Sequence, residues 1–108
     1  ETLNAAQAET ITATLNRAYR EGLLDQLRGL VASGKQYQET LRSARQDAKY
    51  GDEARDLLRA WQRLERLESR ADTATTNEVR AALLGAQGLG QRSYELKYRI
   101  LLRQLVLD

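Results

Sequence analysis

Cysteine, histidine, proline, phenylalanine and methionine are all absent from the chain. Without cysteine there is no disulfide framework and no thiolate chemistry. The further loss of histidine removes the commonest transition-metal ligands, the usual general base near neutral pH and every Ser-His or Cys-His nucleophile pair. The carboxylates are scattered among arginines, with no Walker-type or dinucleotide glycine loop and no aspartate-rich calcium loop. A non-catalytic protein with no cofactor and no metal is therefore expected. Lack of proline leaves turns to Gly, Ser, Asp and Thr. All six aromatics, five tyrosines and Trp61, carry a polar tip suited to core edges and interfaces. No apolar run approaches the roughly 18 residues of a membrane span, so a soluble chain is expected. Glu1 rather than Met comes first, which leads us to expect a trimmed, processed or excised chain.

Charge of one sign is scarce too. Seventeen basic against fifteen acidic residues give a net +2, spread evenly along the chain, which pushes only weakly toward nucleic acid. What is present is 108 residues, 42% hydrophobic and 30% charged, enough for one globular core. We read residues 1–108 as a single helical domain: an all-α bundle of four to five helices with short turns.

Asn4 is a good N-cap, and Gln7 three residues later completes a capping box, with Leu3 as an outer staple. This Leu3-Asn4-x-x-Gln7 start is similar to the L-T-x-x-Q signature of small periplasmic stress chaperones over five residues. Ile11, Leu15, Ala18 and Tyr19, followed by Leu23, Leu27 and Leu30, predict one continuous apolar face on the first helix. Ser33-Gly34-Lys35-Gln36 repeats the capping-box spacing and predicts a break before a second helix marked by Tyr37, Leu41, Ala44 and Ala48. Gly51 is expected to end that helix and Asp52 to cap a third, over residues 53–71, with Trp61 in the core. Thr75 and Glu78 form another capping box, and Gly85, Gly88 and Gly90 predict a break between a short fourth helix and the last. Leu23, Leu24, Leu27 and Leu30 recur 34 residues later as Leu57, Leu58, Trp61 and Leu64, but the match stops there and describes two amphipathic helices, not a repeat.

The C-terminal stretch Tyr94–Leu107 has nine apolar or aromatic residues in fourteen. On a helix, Tyr94, Tyr98, Leu101 and Leu105 form one stripe, with Leu102 at its edge; Leu96, Ile100 and Leu107 fall nearly opposite. A helix apolar on two faces needs two neighbours, its own chain on one side and a protein partner or second copy on the other. The partner surface is expected at Leu96, Ile100 and Leu107, with Tyr94 and Tyr98 as amphipathic anchors. Residues 94–102 also alternate as a half-buried strand would, which would favour pairing with another molecule. Helix is the reading adopted, because no other strand is available to pair with it.

A second reading is nucleic-acid binding. Arg55, Arg59, Arg63, Arg66 and Arg70 lie on one helix side over about 22 Å and could follow a phosphate backbone. Asp52 and Asp56 are the expected counter-charges if the stripe is merely a solvated face. Gly88-Leu89-Gly90-Gln91-Arg92-Ser93 resembles the hairpin of helix-hairpin-helix DNA-binding modules. That resemblance implies a phosphate held at the amides of Gly88 and Gly90, with Arg92 close behind. Tyr94 stands where that family has a small residue.

Overall fold

The computed structural model describes residues 2–107, the Leu107 side chain excepted. Four helices, α1 (Ala5–Ser43), α2 (Gly51–Ser69), α3 (Thr76–Gly85) and α4 (Leu89–Leu107), account for the architecture, and there is no strand among the described residues. They form three arms. α2 runs back along the second half of α1, and α3 followed by α4 makes a broken third arm that returns parallel to α1. Three contacts fix this course: Trp61 to Ser93, Lys97 to the Gln36 carbonyl, and Arg103 to Asp47.

The break predicted at Ser33–Gln36 does not occur, and α1 is one helix of 39 residues. Gly34 is buried there for a packing reason. Any Cβ on it would collide with the Trp61 ring. The glycine admits an indole instead of turning the chain. Trp61 is almost fully enclosed, stacks with Tyr37 at 6.2 Å between centroids, and donates its indole N–H to Ser93 Oγ at 2.9 Å. A buried indole requires such an acceptor. Trp61 shares one buried core cluster with Leu27, Leu41, Leu57, Leu64 and Leu89.

Both outer capping boxes form as expected, Asn4 with Gln7 and Thr75 with Glu78. Asp52 does not cap α2. The turn between α1 and α2 is organised by Asp47, whose carboxylate accepts from the Lys49 and Tyr50 amides at 2.8 and 3.0 Å. The break between α3 and α4 falls at Ala86–Gly88, where Gly88 adopts φ +76°, a conformation that costs an L-residue about 1–2 kcal/mol. α3 and α4 do not pack side by side as a hairpin.

The molecule measures 73 × 24 × 16 Å because α1 outruns its neighbours. α2 ends where Arg20 donates to the Ala71 and Ala74 carbonyls at 2.7 and 2.5 Å, satisfying acceptors just beyond the α2 C-terminus. Below Arg20, every residue of Asn4–Tyr19 is exposed, over about 24 Å at helical rise. Ile11, Leu15 and Tyr19 are therefore not a continuation of the core face. The i, i+4 ridge through Ile11, Leu15, Tyr19, Leu23 and Leu27 advances about 40° per step, so its two ends point in different directions.

Candidate interaction surface

α4 is seated by a periodic inner face. Leu89, Ser93, Leu96 and Ile100 recur every three to four residues and are buried, Leu96 completely and Ile100 to 95% (5% exposed). This spacing explains why residues 94–102 are helix and not strand. It also reverses the expected roles of the two sides. Leu96 and Ile100 belong to the chain's own core, buried in one cluster with the α1 and α2 leucines, and are unavailable to a partner. Leu107 ends the helix, and its side chain lies outside the described residues.

Two cations flank the seat. Lys97 Nζ donates to the Gln36 carbonyl at 3.0 Å and lies 6.0 Å from the Tyr37 ring centroid. Arg103 forms a two-pronged ion pair with Asp47, and its guanidinium sits 4.9 Å from the Tyr50 ring centroid. The Arg103 hydrogen bond, followed by the Tyr50 and Lys49 amides, holds the Asp47 carboxyl far below the usual carboxylate range; Asp47 in turn raises Arg103. This clamp joins the end of the third arm to the turn between the first two.

The outer side of α4 is uncovered. Tyr94 and Tyr98 are exposed and stack on each other at 6.4 Å with an interplanar angle of 11°. One and two turns further, Leu101 and Leu102 are partly exposed, and Leu105 and Val106 are about four-fifths exposed, at 79% and 80%. Among the described side chains of the expected partner set, Tyr94 and Tyr98 are thus the ones that reach solvent.

The arginine stripe is divided by its partners. Arg55 pairs with Asp52 and Arg59 with Asp56, and Arg70 reaches across to Glu78 on α3 at 2.7 Å. The Arg70 hydrogen bond, then the Thr75 amide, lower the Glu78 pKa. Arg63 and Arg66 make no ion pair or side-chain hydrogen bond among the described residues. Arg63 shares with Arg92 a cleft of about 250 Å³ floored by Ala60, Leu64, Ala86 and Leu89. Gly88 and Gly90 do not line this cleft, and without a hairpin they do not present the two-helix phosphate clamp that the resemblance implied. Arg92 turns back toward the Gly88 carbonyl at 3.4 Å.

Sequence reasoning missed Asp47, Arg103, Arg20 and Ser93. Each acts through a partner more than 30 residues away. The one local signal was Asp47, placed two and three residues before amides it could cap. Among the described residues there is no cluster of three or more metal-ligating side chains and no helix long and apolar enough to cross a membrane. Comparison with known protein families, curated proteins and solved structures finds no match.

Proposed function

We propose that the chain is a non-catalytic protein-binding or assembly module that docks through the outer side of α4. The observation that carries this reading is the apolarity of α4 on two faces, of which its own bundle covers one. Six large side chains, Tyr94, Tyr98, Leu101, Leu102, Leu105 and Val106, are exposed along this side of the helix, the kind of apolar patch that marks an interaction site. Stacked tyrosines at the centre supply rigid area at small entropic cost. Sedimentation over a wide concentration range tests it. Wild-type chain should associate, and Tyr98→Glu with Leu105→Glu should abolish association while leaving the helical circular dichroism intact. Association indifferent to that pair of substitutions would end the proposal.

A second reading, binding of a nucleic-acid backbone, is supported by Arg63 and Arg66, which are exposed and without counter-charge, and by Arg92 across the cleft. It requires affinity for DNA or RNA that falls steeply with salt and drops on Arg63→Glu with Arg66→Glu. Absence of a mobility shift at low salt would rule it out.

A further inference from the structure

We infer that the occupant of the outer α4 face is the Asn4–Tyr19 segment of α1 from a second copy of this chain, joined head to tail. The inference rests on the α4 docking reading and names the partner for it. Both surfaces are exposed within the protomer, Leu101 and Leu102 at the edge of the α4 face only partly. They also cannot meet each other in one molecule. α1 and α4 run in the same direction, α4 ends beside the Asp47 turn, and the bare part of α1 leaves the opposite end of a molecule 73 Å long.

Their dimensions and chemistry match. The α1 segment spans about 24 Å, and Tyr94–Val106 spans about 20 Å at helical rise. The α1 segment carries Ala8, Ile11, Leu15 and Ala18 at spacings of 3, 4 and 3. The α4 face carries Tyr94, Tyr98, Leu101 and Leu105 at 4, 3 and 4. Both spacings are those of a coiled-coil seam; on α1 two alanines, Ala8 and Ala18, flank Ile11 and Leu15 and permit close approach, and on α4 bulky residues fill the resulting space. The segment is poor in charge: Asn4–Tyr19 holds Glu9 and Arg17 alone, in a chain that is 30% charged, so its contact with α4 is carried by apolar and small side chains. The hydroxyls of Thr10 and Thr14 already donate to the Ala6 and Thr10 carbonyls at 3.0 and 2.9 Å, so covering them strands no donor. Because α1 and α4 are parallel, a copy displaced along the long axis brings the two seams together in parallel. Such an interface is heterologous and does not close on itself, so it builds a series of oligomers and not a dimer alone.

Complementation tests this. Two variants are made, Ile11→Glu with Leu15→Glu on α1, and Tyr98→Glu with Leu105→Glu on α4, all at exposed positions. Wild-type chain should sediment as a concentration-dependent series. Each variant alone should be monomeric, its self-association weakened more than about tenfold by glutamates placed in an apolar seam. Mixed one to one, the variants should form a heterodimer and nothing larger, because one intact α1 segment and one intact α4 face remain. A mixture that stays monomeric overturns the head-to-tail arrangement. Self-association of the α1 variant at wild-type strength overturns the inference while sparing the α4 reading, whereas indifference of the α4 variant defeats both.

Discussion

The Trp61 ring occupies the space that a side chain on Gly34 would need. Gly34→Ala gains about 1 kcal/mol of helix propensity but drives a methyl into a rigid, enclosed indole, for which overpacking costs about 1–3 kcal/mol. The expected outcome is a lower melting temperature. Gly29→Ala, on the same helix with open space around it, should raise the melting temperature. Thermal denaturation of the two variants side by side checks both signs.

Ser93→Ala removes the hydroxyl that accepts from the Trp61 indole N–H, leaving a buried donor unsatisfied at about 1–3 kcal/mol. Chemical denaturation should show that loss with an unchanged m-value. The indole N–H resonance of Trp61 should move in the proton spectrum of the folded variant.

Acid should act through the Asp47–Arg103 clamp. A carboxyl whose folded pKa lies below its unfolded value stabilises the fold fully above the unfolded value, near 4, and loses that contribution as pH falls toward the folded one. The melting-temperature difference between wild type and Asp47→Asn should therefore be constant from pH 7 to about 5 and should close below about pH 4. A difference that widens as pH falls would contradict the clamp. Glu78→Gln should follow the same sign through its Arg70 partner.

Gly88 holds a left-handed backbone at the joint of the third arm. Gly88→Ala should destabilise by about 1 kcal/mol, although nothing crowds the site. Gly90→Ala, in open space and without positive φ, should be tolerated. Equal melting temperatures for the two variants would mean that the joint does not need its glycine.

The helical class, the two outer capping boxes and the core position of Trp61 were legible because each is a local or periodic property. The course of α1 was not. Ser33–Gln36 carries the spacing of a cap, and only the long-range approach of Trp61 explains why Gly34 sits within an unbroken helix. The two sides of α4 were visible as stripes, but their assignment depended on where α1 and α2 lay. Leu96 and Ile100 continue the register of Leu89 and Ser93, and that longer stripe of four inward positions was the available clue. For the arginines, Asp52 and Asp56 pair with Arg55 and Arg59 as the solvated-face reading expects, while the Arg70–Glu78 link between helices was out of reach.

Arg20 divides α1 into two thermodynamic regimes. Above it the helix is fixed by side chains from the other arms; below it the backbone relies on its own hydrogen bonds and on the Asn4–Gln7 box at the tip. An isolated peptide of that length would be marginal in water, since starting a helix is unfavourable by a factor near 10⁻³. Here the bundle serves as the seed, and each turn of the free portion need only propagate. Unwinding should therefore start at the tip, advance turn by turn, and halt at the guanidinium, leaving the rest of the fold undisturbed.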